Sequence, residues 1–144
     1  MKRKIISFFF LFVTALGFSS CALFKPASEA SMLVELTRES EHMLVIHVKE
    51  PSSGATVLDA MERLKESELL EYETAGTMIV SIDGVANAAD YSACWMLYTS
   101  DEECANEEWG AVEYDSQTYG SAVLGADALQ LTDGELYIWV YETF

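Results

Sequence analysis

The sequence predicts an α+β fold, with one helix packed on a mixed sheet. Apolar and polar residues alternate in five short runs, a single stretch switches to helical spacing, and turn signals at Pro51-Ser52-Ser53-Gly54, Asp83-Gly84 and Asp133-Gly134 separate these segments.

Met32–Thr37 and Met43–Val48 are strand-like runs joined by the polar Arg38–Glu41, which predicts an opening hairpin. In the next segment Val57, Leu58, Met61 and Leu64 fall at i, i+1, i+4 and i+7, with Glu62, Arg63, Lys65 and Glu66 opposite them. This is one amphipathic helix. Thr56 is its expected N-cap, and Asp59 three residues on supplies a capping box while favouring the positive helix end. Period two returns at Thr77–Ile82 and again at Cys94–Tyr98. The last strand, Glu135–Tyr141, sets Leu136, Ile138 and Val140 on one face and Tyr137, Trp139 and Tyr141 on the other. The aliphatic face is the one expected to receive the helix. Between Thr99 and Leu131 runs a long segment, acidic at first and then rich in Gly and Tyr. Such a length predicts either an added hairpin or a functional loop. Together the elements suggest a β-grasp-like arrangement.

Of 144 residues, 8 are basic and 24 acidic, and three of the basic ones (Lys2, Arg3, Lys4) open the chain, leaving the remainder at five against 24, a net of −19. A body so acidic repels phosphate backbones and anionic head groups, which argues against nucleic acid as a partner. After the basic trio come the apolar Ile5–Leu16 and then Gly17-Phe18-Ser19-Ser20-Cys21. That order reads as an export signal, too short for a spanning helix. It resembles a bacterial lipoprotein leader, which implies a signal peptide over 1–20, a lipid on Cys21, a tether over 21–31 and one domain over 32–144. Membrane contact is then through the anchor alone. Cleavage after Ala22 is the alternative; either way the domain works outside the cytoplasm.

Cys94 and Cys104 remain, nine residues apart. They can pair in an oxidising compartment or stay as two thiols. His42 and His47 are the only histidines, so no zinc pattern is present and no metal site is expected. His47 reads as a half-buried strand histidine. The sequence contains no G-x-S-x-G, Walker, G-x-G-x-x-G or H-E-x-x-H motif, which argues against an enzyme, and no cofactor is required.

Four motifs occur in order: Gly54–Ala60 at the helix start, Ile82-Asp83-Gly84-Val85, Trp95-Met96-Leu97-Tyr98, and Asp133-Gly134-Glu135 leading into Trp139-Val140-Tyr141. Over Met32–Phe144 this pattern resembles a bacterial domain family of unknown function related to the carboxy-terminal domain of transcobalamin and intrinsic factor. The resemblance implies a β-grasp-like fold and cobalamin or another corrinoid as ligand. Animal carriers add a large helical domain for which this chain has no room, so a partner protein would complete the site. Nine of the ten Tyr and Trp residues lie between Tyr91 and Tyr141. The candidate ligand face is accordingly Trp95, Tyr98, Trp109, Tyr114, Tyr119, Tyr137 and Trp139, with backbone groups near Gly120 and Ser121. The rival reading is a module whose aromatic face docks a protein or glycan at the cell surface.

Overall fold

The computed structural model describes residues 32–144; the leader, Cys21 and the rest of the tether lie outside the described residues. Strands β1 (Leu33–Ser40) and β2 (Met43–Lys49) form the opening hairpin. Helix α1 (Val57–Glu66) follows, with Thr56 as N-cap: its hydroxyl accepts from the Asp59 N–H, and the Asp59 carboxylate accepts from the Thr56 N–H at 2.7 Å. Two more donors of the first turn are satisfied from far along the chain. Val57 N–H reaches Leu129 O at 3.0 Å and Leu58 N–H reaches Ala126 O at 2.8 Å, so residues 126–129 are fastened to the helix start.

Strands β3 (Tyr72–Ala75), β4 (Met78–Ile82) and β5 (Val85–Ala86) make a small antiparallel sheet. The remaining strands are β6 (Ala93–Thr99), β7 (Ala105–Tyr114), β8 (Gln117–Ala122) and β9 (Leu136–Thr143). They join the first hairpin in a six-stranded sheet of order β1-β2-β9-β6-β8-β7. The α+β class and the added Tyr-rich hairpin, β7–β8, are as the sequence predicts. The sheet is not mixed, however: every pairing among the described residues is antiparallel. The cause is β9, which slots between β2 and β6 and runs against both, so the two strands that share a direction never touch.

The helix covers the aromatic face of β9, contrary to the expectation that Leu136, Ile138 and Val140 would receive it. Val57, Ala60, Met61 and Leu64 share one core with Leu44, Ile46, Val48, Leu97, Tyr137 and Trp139, while Leu58 is only partly buried at its margin. The aliphatic face belongs to a second core. There Val45, Ile138, Tyr98 and Tyr119 pack together with Leu136, Val140, Val112 and Tyr114 at their edge. Register explains the division, since Ile46 opposes Tyr137 and Leu44 opposes Trp139 on one side, while Val45 opposes Ile138 on the other.

Candidate functional site

The predicted ligand aromatics do not form one surface. Trp95, Tyr137 and Trp139 point into the helix-side core, whereas Tyr98 and Tyr119 lie in the second core with Tyr114 packed beside it. Only Trp109, 64 % exposed, faces solvent. Its position follows from the β7–β8 register, which passes from Asn106 opposite Ser121 to Ala111 opposite Gly120, so that residues 107–110 bow out as a bulge. Gly120 is a packing glycine: a Cβ there would lie 2.9 Å from the Glu107 backbone nitrogen, so only glycine lets β7 come so close. Cys94 and Cys104 are free thiols. Cys94 lies near the start of β6, its thiol against Met96 Sδ on the second-core side, while Cys104 packs on the helix-side core beyond the far end of that strand. Burial pushes both thiols up from their ordinary range, with Glu142 adding to it at Cys94 and Asp101 at Cys104. His47 is half-buried on β2 with its Nδ1 3.7 Å from Glu35, as a structural histidine would be. Among the described residues, no group of three or more His, Cys, Asp or Glu is placed to hold a metal ion.

What the buried aromatics do is fasten elements together through their polar tips. The indole N–H of Trp95 donates to Val85 O at 2.8 Å, and the Tyr141 hydroxyl donates to Ala86 O at 2.9 Å. Both bonds tie β5 to the large sheet. Tyr137 accepts from the Thr132 N–H at 2.8 Å through its hydroxyl, and Tyr72 donates to Glu62 at 2.6 Å. One tip is left over. The indole Nε1 of Trp139 is the buried side-chain nitrogen without a hydrogen-bond partner among the described residues, in a side chain 5 % exposed. An indole N–H can only donate, and buried donors are almost always satisfied.

Trp139 lines a cleft of about 270 Å³ at the edge of the helix-side face. The cleft exists because β8 pairs with β6 only at Tyr98–Ser121 and Thr99–Gly120 and then departs, leaving Ala93–Leu97 without a strand on that side. Asn87 holds the small sheet across part of the gap: its side chain accepts from the Trp95 N–H at 2.9 Å and donates to Ile79 O at 3.0 Å. Trp95, Leu97 and Trp139 line the cleft from the sheet, Met78 and Ile79 from β4, and residues 121–126 from the departing chain. Its rim is apolar and open to water, with Met78 45 %, Val123 37 % and Leu124 47 % exposed. Of the predicted site residues, Trp95, Ser121 and Trp139 meet here. Met78, Val123 and Leu124 were not singled out from the sequence, although an apolar Val-Leu pair just ahead of Gly125, outside any alternating run, was a readable signal.

No family model, curated protein or solved structure matches the chain.

Proposed function

We propose that this chain is a non-catalytic binding module, exported and held on the outer side of the membrane by a lipid on Cys21, and that its ligand enters the cleft beside Trp139. One observation carries the reading: a cleft walled by apolar side chains, among them Trp139 with its buried, unpartnered indole N–H, whose rim exposes three large apolar side chains. Natural interiors seldom leave such a donor unsatisfied, and single exposed apolar residues are ordinary where a cluster around a concavity is not. A corrinoid is the ligand favoured by the sequence resemblance to the transcobalamin carboxy-terminal domain. At about 270 Å³ the cleft falls below the volume that whole drug-sized ligands fill, so a corrin would place a peripheral side group in it and leave the ring for a partner protein to cover.

Titrating the purified protein with cyanocobalamin, while following Trp fluorescence and corrin absorbance, tests this. Saturable changes are expected, weakened by a charge at the rim in a Leu124→Asp protein that stays folded. No saturable change, or one indifferent to Leu124→Asp, removes the corrinoid from this cleft. The second reading, a surface module that docks a protein or glycan, is favoured by one feature, the exposed Trp109 on the bulge of edge strand β7.

A further inference from the structure

We infer that the open edge of the large sheet, strand β7 with its bulge, docks a basic polypeptide segment, one cationic side chain of which enters the pocket between Glu107 and Glu135 while another packs on Trp109. This surface shares no lining residue with the cleft beside Trp139, so the inference stands apart from whatever that cleft binds. β7 is the last strand of its sheet and pairs with β8 alone, so among the described residues its outer edge has no neighbouring strand. An edge left open in this way is where a second chain can be received. The bulge at residues 107–110 also holds Trp109 out, 64 % exposed. Trp is enriched at the anchor points of protein interfaces, because its large apolar face comes with a polar tip.

Beside the bulge lies a pocket of about 410 Å³, between β7, β8 and the start of β9. Glu102, Glu107 and Glu135 line it, and no Lys, Arg or His does. The hydroxyls of Thr99, Ser100, Thr118 and Tyr119 complete much of its polar lining, and each can accept as well as donate. Glu135 is fixed in place: the Ser100 hydroxyl donates to its carboxylate, and that hydroxyl in turn accepts from the Leu136 N–H at 2.8 Å. Burial raises the pKa of Tyr119, and the carboxylates of Asp115 and Glu135 push it further, as a negative potential does. Such a lining turns anions away and suits the apolar stem and charged head of Arg or Lys.

Charge decides the occupant. Beyond Lys65 the chain holds 17 of its 24 Asp and Glu residues and not one Lys, Arg or His. Earlier bases are engaged elsewhere, Arg38 by Asp83, Lys49 by Glu35 and Lys65 by the Tyr72 carbonyl. Among the described residues, none of the carboxylates around the bulge has an ion-pair partner of its own chain. Like charges crowded without a partner disfavour the compact state, and a cation brought by another molecule relieves that repulsion. A second copy of this chain or an anionic glycan would add to it. A neutral glycan stacks on an indole but makes no use of the unpaired charges. Arg fits better than Lys, because its planar guanidinium both grips a carboxylate through two hydrogen bonds and stacks on an indole.

The test uses the full, isotope-labelled chain and three probes: a hexapeptide of alternating Arg and Gly, its counterpart with Glu in place of Arg, and cellohexaose as a neutral glycan. The Arg peptide is expected to bind saturably, shifting the Trp109 indole N–H and the backbone signals of Glu107, Glu108 and Glu135 while leaving the Met78 and Val123 methyls still. The other two probes should shift none of these. Trp109→Ala should weaken the Arg peptide about tenfold, and Glu107→Gln combined with Glu135→Gln at least as much. Glu68→Gln combined with Glu73→Gln removes the same charge from exposed positions outside the pocket and should change the affinity by less than about twofold. Equal weakening by the two double variants would reduce the binding to general attraction between opposite charges and overturn the site. Absence of saturable Arg-peptide binding would overturn it outright, and a Trp109 shift produced by cellohexaose alone would give the surface to a glycan instead. The wild-type spectra decide between these outcomes even where a variant fails to fold.

Discussion

Asn87 shows how much one side chain can position. It sits just past the two-residue strand β5, yet its amide takes the place of a missing ladder between β4 and β6, giving an acceptor to Trp95 N–H and a donor to Ile79 O. Its own N–H bonds Val80 O at 2.7 Å, which fixes the side chain's direction. Asn87→Ala removes both side-chain bonds and leaves a part-buried N–H without its partner. We expect a loss of about 1 to 3 kcal/mol in urea denaturation, together with weaker binding in the cleft. Full stability in the Ala variant would mean that the small sheet is held by its aromatic contacts alone. Arg38 makes a comparable link at the other end of that sheet, pairing with Asp83 at 2.8 Å and donating to Leu69 O. Being half exposed, this ion pair contributes little by itself.

At the scale of elements, the helix is anchored more by its core residues than by its margin. Met61 is fully buried among strands of the large sheet, whereas Leu58 is only partly so. Met61→Ala should therefore cost about 2 to 5 kcal/mol and Leu58→Ala clearly less, because the cost of truncation grows with the cavity left behind. Equal losses measured for the two by equilibrium denaturation would contradict the orientation of α1 on the aromatic face. The β7–β8 hairpin has a parallel role on the other side. It extends the sheet through two register positions on β6 and lays Tyr119, Tyr114 and Val112 over Ile138 and Val45. Tyr98 lies beneath it with its hydroxyl 2.6 Å from Glu142, and Gly110, at φ 146°, leaves room for that hydroxyl.

The whole molecule buries phenols on both faces of one sheet, and that gives it a characteristic response to alkali. Burial raises the pKa of Tyr72 and Tyr98 far above the ordinary phenol value, and hydrogen bonds to the carboxylates of Glu62 and Glu142 add to the effect. Tyr137, Tyr119 and Tyr114 are raised as well, in each case chiefly by burial. A raised pKa means that the unfolded chain loses the proton first, at about pH 10. The stabilisation is thus complete below pH 10 and is lost as pH climbs from there towards the folded values. Urea midpoints should decline mildly from about pH 8.5, where the two raised thiols begin to lose their share, and fall steeply between about pH 10 and 11.5, with phenolate absorbance at 295 nm rising in the steep part. A midpoint that stays level to pH 11.5 would mean these phenols are not buried as described.

The sequence alone determined the local pieces: the opening hairpin, the helix from Thr56 with its capping box, the strands around Ile79, Trp95 and Trp139, and the acidic, anion-repelling character. Each of these depends on spacing within a few residues, through side-chain period, a cap or a turn. Tertiary structure decided which face of the sheet the helix covers. A period of two says that Tyr137 and Ile138 face opposite ways, but both faces here are buried, one under the helix and one under the hairpin, so apolarity could not rank them. It also decided that β9 lies between β2 and β6, because strand order comes from pairings across the whole chain. The short and mostly exposed β3 and β5 carried too little pattern to be seen in advance. The cleft had no sequence signature as a whole: it is made by β8 leaving β6 after two pairs, by an Asn that bridges β4 and β6, and by an indole whose missing partner can be recognised only once its neighbours are in place.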